Sequence, residues 1–269
     1  MIVKESTLDN ELTFTRFDRM SEVYPNRPAV MYLGETFSYR RLRELSERFA
    51  GGLQALGVKK GDRVMIYIPN CIQWIIGFLG IQKIGAVLVP ISPIYTSFEI
   101  EYMIKDAGVE TVICQDTNFC YVKEVLPNTG LKRIIVTNLA DLLPPWKRYM
   151  GVLFDRIPKG NIERDTQVHW FRSLLKHPPL REKAEMDPWK DLSYILYTGG
   201  TTGFPKGVPG NHIGMTSYVN DVTEDVAGKY LKEGEDVYLA VNPLFHIMAL
   251  GLFMAVGLNK GNLTLLMPV

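Results

Sequence analysis

The chain has 269 residues, 46% of them hydrophobic, with 30 Lys and Arg against 29 Asp and Glu and a formal charge of +1. That length suits one large or two modest domains with a sizeable core, and the balanced charge gives no overall basic field of the kind nucleic-acid binding needs. The three cysteines, Cys71, Cys114 and Cys120, lack metal-ligand spacing and read as free thiols of a reducing cytoplasm.

The opening residues, MIVKESTLDNELTF, contain no apolar h-region and do not read as a signal peptide. AVMYLGETFSYRRL, from Ala29, predicts two short strands around a Gly34-Glu35 turn, and the stretch from Arg40 to Leu56 predicts a helix stopped by Gly57. RVMIYIP reads as a buried strand, the stretch from Ile72 to Ile84 as an apolar helix, and AVLVPISP as another strand. Ser97 opens a helix to Asp106, with Glu99 and Glu101 suited to the positive end of its dipole. ETVICQD is the next strand, a short helix runs from Tyr121 to Leu126, and RIIVTN is a strand. Short, continuously apolar strands alternating with helices predict an α/β fold with mostly parallel sheets flanked by helices.

The alternation stops between residues 139 and 188, where Pro144-Pro145, Pro158, Pro178-Pro179 and Pro188 punctuate the chain. Within it, LLPPWKRYMGVLFDRIPKG places Trp146, Tyr149, Met150, Leu153, Phe154 and Ile157 at helical spacing beside Lys147, Arg148, Arg156 and Lys159. Two readings stand: an amphipathic helix packed on its own domain, or a peripheral contact with a membrane. The alternation resumes at SYILYT; a helix is expected over 211–226, a strand at DVYLAVN, a helix from His246 to Leu258 and a last strand at NLTLLMPV. The runs 75–88 and 244–258 are too short or too interrupted, by Gln82, Lys83 and His246, to span a membrane. The chain thus divides into 1–138, an irregular insertion over 139–188, and 189–269. The Asn262-Leu263-Thr264 sequon reads as chance.

LYTGGTTGFPKG, residues 196–207, is the least ordinary stretch. It leaves the carboxyl end of a buried strand, where open α/β sheets bind ligands. Glycines let backbone N–H groups approach an anion, threonine hydroxyls add donors, and Lys206 adds a charge held by Pro205. Together they suit a polyphosphate. A Walker A loop is excluded, because Pro205 precedes Lys206 and Gly207 follows it; a Rossmann fingerprint is excluded, because its first glycine would fall on Thr198. The competing reading is a surface loop without a ligand.

YTGGTTGFPKG resembles the phosphate loop of the adenylate-forming (AMP-binding) superfamily, which includes acyl-CoA synthetases, luciferases and nonribosomal adenylation domains. Gly199 stands where most members have Ser, a form frequent among medium- and long-chain fatty acyl-CoA synthetases. The stretches 61–93 and 94–114 are similar to the two blocks that precede this loop in the family, and NPLFHIMALG matches its PxFH motif. The resemblance implies the N-terminal subdomains of the adenylate-forming ligase fold, truncated. It implies two steps: a fatty acid is activated with ATP and Mg²⁺ to an acyl-adenylate, and CoA then takes the acyl group.

By the same match, Thr198, Gly199, Gly200, Thr201, Thr202, Gly203 and Lys206 fall on the loop that holds the β- and γ-phosphates, with the Thr198 hydroxyl near Mg²⁺. His246 falls beside the acyl-adenylate as the catalytic candidate; the competing reading is a core histidine at the start of a buried helix. Leu250 lies where some long-chain members carry a gating tryptophan. Met248, Leu252, Phe253 and Met254 line an acyl tunnel or are plain core. The family's adenine block, Mg²⁺-binding glutamate, ribose-binding aspartate and catalytic lysine match no residue here. The expectation is therefore an incomplete ligase, inactive alone, with a C-terminal fragment or a homo-oligomer as partner. The alternative is a non-catalytic nucleotide- or acyl-binding partner of a full-length ligase. The final strand is expected to form an open sheet edge.

Overall fold

The structure, a computed structural model, describes residues 11–154, 157–163, 165–180, 184–199, 204–223 and 230–268. Eleven strands are found among them: β1 (Pro28–Tyr32), β2 (Glu35–Ser38), β3 (Arg63–Tyr67), β4 (Val87–Pro90), β5 (Thr111–Gln115), β6 (Arg133–Thr137), β7 (Val168–Trp170), β8 (Leu192–Tyr197), β9 (Gly207–Asn211), β10 (Val237–Ala240) and β11 (Leu263–Leu266). The helices are α1 (Thr15–Val23), α2 (Tyr39–Ala55), α3 (Ile72–Lys83), α4 (Ser97–Ala107), α5 (Phe119–Val125), α6 (Pro145–Leu153), α7 (Phe171–Leu174), α8 (His212–Asp221) and α9 (Ile247–Leu252).

The strands form two sheets, ordered β7-β6-β5-β3-β4-β8-β9 and β10-β11-β1-β2. The larger is parallel except at β8–β9, and the smaller is parallel except at the β1–β2 hairpin. That hairpin turns through Leu33 and Gly34, at φ 49° and 73°. Positive φ at both central residues is what a tight hairpin turn requires. Both sheets draw strands from the first and last stretches of the chain, so 1–138 and 189–269 are interleaved in space.

Alternate residues of β3 face two cores. Val64 and Ile66 join a core shared with α2, α3 and the smaller sheet, while Met65 and Tyr67 join a second core under α4 and α5. This is the period of two expected of a strand covered on both faces. Every residue of α3 is buried, which explains a helix with no polar face. Its three polar residues have partners, and Gln73 donates to Asn138 O at 2.7 Å. Gln82 exchanges hydrogen bonds with Ser193, donating to the carbonyl and accepting from the hydroxyl, both at 2.8 Å. Lys83 donates to Asp18 and lies 3.7 Å from Glu47. α4 begins one residue after Thr96, which forms a capping box with Glu99.

The structure corrects several expectations. β11 is not an edge strand: it lies between β10 and β1, with Thr264 and Leu266 buried. The open edge with exposed Val237 and Leu239 is β10. The helix expected from His246 to Leu258 is α-helical only to Leu252, then widens over Phe253–Gly257. Carbonyls freed there are taken up by side chains: Asn262 donates to Val256 O at 2.9 Å and Tyr39 to Gly257 O at 3.1 Å. Asn262 is fully buried, so its sequon is no glycosylation acceptor. α6 does not pack its apolar residues inward: Trp146, Tyr149 and Leu153 are more than 60% exposed. Among the described residues no helix is long and apolar enough to cross a membrane.

Candidate active site

β4 and β8 are neighbouring parallel strands, and a cavity of about 520 Å³ opens at their carboxyl ends. Pro90 and Ile91 border it from β4, Tyr197, Thr198 and Gly199 from β8, and Phe245, His246 and Ile247 from the start of α9. Of the residues singled out from the sequence, Thr198, Gly199 and His246 meet around this space. Lys206 is exposed on the stem that leads into β9. Gly200, Thr201, Thr202 and Gly203 lie outside the described residues.

The stem of the glycine loop is closed and anchored. Thr198 N–H donates to Lys206 O at 3.1 Å, extending the β8–β9 ladder by one step. Tyr197 donates to Asp106 Oδ2 at 2.7 Å and to Met103 O at 3.2 Å, tying the stem to α4. Burial first, then the Asp106 carboxylate, raises the Tyr197 phenol well above its ordinary value, so it stays a neutral donor. On the return side Phe204 stacks on Tyr102, with centroids 4.5 Å apart, and leans on Phe98 at 5.7 Å. A Cβ on Gly199 would meet nothing within 4 Å, so there is room at this position for a small side chain. A Cβ on Gly207 would lie 3.0 Å from Ile195 Cγ2, a tight contact, so glycine suits the close approach of β9 to β8.

His246 is not a core histidine. It is exposed and borders the cavity, just ahead of α9. Its backbone N–H donates to Pro243 O at 3.0 Å, which closes a tight turn over Pro243–His246. That turn is held from below by Asn70, which is 2% exposed. Asn70 donates to Asn242 O at 2.9 Å and accepts from Leu244 N–H at 2.8 Å. Phe253 and Met254 are buried in the main core, Leu252 packs partly buried against it, and Met248 is half exposed; none of these four expected tunnel residues borders the cavity, and neither does Leu250. The apolar wall comes instead from Tyr194, Leu196, Phe245 and Ile247.

Asn70, Asp106, Tyr102 and Phe204 carry no signal as single letters in the sequence. The one hint is positional, since Asn70 follows the proline that ends the β3 segment. Among the described residues no group of three or more His, Cys, Asp or Glu could hold a metal. Burial pushes the Cys71 thiol up to about 12 and raises that of Cys114 as well, so neither is a nucleophile. The arrangement brings the stem of the glycine-rich loop and the His246 imidazole to the border of one apolar-walled cavity.

The family model described as AMP-binding enzyme matches residues 17–269. The long-chain-fatty-acid–CoA ligase of Salmonella typhimurium (strain LT2) is 31% identical over 258 residues, which cover 93% of this chain and 45% of that protein. The chain therefore spans about half the length of the curated relatives it matches. Among solved structures, a long-chain-fatty-acid-CoA ligase from Archaeoglobus fulgidus superposes with a TM-score of 0.78 at 23% identity, over 97% of this chain and 48% of that one. An anthranilate CoA ligase in complex with anthranoyl-AMP superposes with a TM-score of 0.83 at 21% identity, over 99% and 47%. These structural likenesses establish the fold.

Proposed function

The chain belongs to the AMP-binding enzyme family, and from that premise we propose that it forms the N-terminal part of a fatty acyl-CoA synthetase. The observation that carries the reading is the meeting of Thr198, Gly199 and His246 around one cavity with an apolar wall. A fatty acid carboxylate would attack the α-phosphate of ATP, forming the acyl-adenylate and expelling pyrophosphate. The thiol of CoA would then displace AMP from the acyl carbon.

The chain's own part in this is positioning and charge. Backbone N–H groups of the loop and the Lys206 ammonium would hold the β- and γ-phosphates, and so stabilise the pyrophosphate as it leaves. The Thr198 hydroxyl would be a protein ligand of Mg²⁺; when bound, the ion would neutralise phosphate charge. His246, at the head of α9, would lie against the acyl-phosphate junction and orient the carboxylate. The wall formed by Tyr194, Leu196, Phe245 and Ile247 would receive the first carbons of the acyl chain. Three free cysteines, two of them buried, fit a cytoplasmic protein.

Hydrogen exchange across residues 198–207 tests the phosphate assignment. MgATP or pyrophosphate is expected to slow exchange there, and Lys206→Ala to weaken the effect. Identical exchange with and without millimolar ligand would remove it.

A further inference from the structure

Tyr194 stands at the far end of the cavity. β8 runs towards the mouth, and Tyr194, Leu196 and Thr198, at alternate positions, share one face and border the space. On β4, Leu88 pairs with Tyr194, and the bordering residues begin two positions later, at Pro90. On β9 the bordering residue is Val208, which lies opposite Leu196. No described residue of the larger sheet that borders the cavity therefore lies further from Thr198 than Tyr194, about 13 Å down the strand.

The Tyr194 ring has a seat made for it. It lies across Gly210, its direct partner on β9, and a Cβ on that glycine would overlap Tyr194 Cζ and the hydroxyl oxygen. The ring thus fills the space that a side chain at residue 210 would take. Behind it is the main core, against which the ring packs, and Leu88, its neighbour on β4, is fully buried. Interiors are close-packed, so a chain that reaches the ring meets a closed end.

We propose that Tyr194, seated over Gly210, is the floor of the acyl pocket and restricts it to medium-chain acids. This rests on the reading of the cavity as the acyl site. With its carboxylate beside Thr198 and His246, an extended octanoyl chain ends before the ring, whereas an extended palmitoyl chain has to displace it. Forcing extra methylenes into a packed site is unfavourable, so the longer acid loses on entry what its greater apolar area would add.

The test is titration of the whole chain with octanoate and with palmitate, each below its aggregation concentration, with hydrogen exchange at residues 194–199 to locate the bound acid. On any open apolar surface the longer acid binds better, so a preference for the shorter one reports a closed end. The parent and Tyr194→Phe are expected to bind octanoate at least about tenfold more tightly than palmitate, and Tyr194→Ala to favour palmitate. Tyr194→Leu, which removes less volume from beside the core, is expected to shift the preference the same way and serves where the alanine variant does not fold. Equal affinities or a preference for palmitate in the parent, or the parental preference in a folded alanine or leucine variant, overturns Tyr194 as the floor and leaves the acyl site standing. Absence of binding by either acid, or binding without protection at 194–199, overturns the acyl site itself and the floor with it.

Discussion

The N–H of Leu244, in the turn that presents His246, donates to Asn70 Oδ1 at 2.8 Å, across 174 residues of sequence. Asn70 follows β3 of the larger sheet, and Leu244 follows β10 of the smaller one. One buried amide thereby fixes where the histidine stands relative to the glycine loop. Asn70→Leu keeps the volume but leaves Leu244 N–H and Asn242 O without this partner. The expected loss is about 2–6 kcal/mol from two orphaned groups at roughly 1–3 kcal/mol each. Urea denaturation measures it. A loss under about 0.5 kcal/mol would mean that water replaces the amide.

The loop stem gives a second prediction. Tyr102→Ala removes the ring on which Phe204 stacks, and Tyr102→Phe keeps it. The aromatic contact is worth about 0.5–1.5 kcal/mol beyond area burial. Hydrogen exchange at residues 204–207 should rise several-fold in the alanine variant and stay at the parental rate in the phenylalanine variant. Equal rates in all three proteins would show that the β8–β9 ladder and the Tyr197 anchor hold the stem without the aromatic contact. Gly199→Ser, at a position with open space, should leave both exchange and stability unchanged.

The buried ion pair should respond asymmetrically. Lys83 is fully buried, bonded to Asp18 and set 5.4 Å from the Phe14 ring centroid. Asp18→Asn strands much of that charge and should cost about 3–5 kcal/mol, whereas replacing both residues by Leu and Met should be close to neutral. Equal costs for the single and double variants would show that Glu47, 3.7 Å away, already carries the pairing.

What was legible in the sequence followed from continuous apolar runs. β3, β4, β5, β6 and α3 could be read because both faces of each strand, and every side of that helix, are buried. β9 is Gly-Val-Pro-Gly-Asn, which has almost no strand character. It exists because it is an edge strand beside β8, where Pro209 costs no ladder bond on its solvent side. β7 is three residues long, too short for any period. α1 carries a weak local signal, with Phe14, Phe17 and Met20 at spacings of three and all buried. The central place of β11 depends on a hairpin more than 220 residues earlier, a pairing that local pattern does not encode. In the site, loop and histidine were legible as motifs, whereas Asn70, Asp106 and Tyr102 matter only through where the fold brings them.

Stability should fall in mild acid through His212. The ring is fully buried, and its Nδ1 accepts from Thr13 N–H at 3.3 Å, which places the proton on Nε2. No described residue partners Nε2. Burial pulls its pKa down from 6.5 to about 4; Lys60 adds to the effect and Asp191 opposes it. The unfolded chain thus binds a proton that the folded chain refuses, so this contribution is present above about pH 6.5 and is lost as pH falls towards 4. The total is on the order of 3 kcal/mol. Urea midpoints at several pH values in this window should fall for the parent and flatten for His212→Asn. Parallel curves would assign the acid sensitivity to carboxylates instead.

The 269-residue chain alone should not complete the proposed reaction. In that reaction the loop would hold the β- and γ-phosphates, whereas the transferred centre is the α-phosphate, whose charge rises as the carboxylate attacks. The described residues offer no cluster of carboxylates to hold an ion against that charge. The chain also covers only 45% of the long-chain ligase relative. Losing several electrostatic contacts worth about 2.7–4 kcal/mol each slows such a step by many orders of magnitude. ATP–pyrophosphate exchange with octanoate and with palmitate, followed by acyl-CoA formation, is the measurement. Turnover near 1 s⁻¹, within the usual enzyme range, would mean that the chemistry resides in residues assigned no role above. Activity that appears only with an added C-terminal fragment would establish a two-part enzyme. Phosphate-dependent protection of the loop without turnover under either condition would favour a non-catalytic nucleotide- or acyl-binding partner of a full-length ligase.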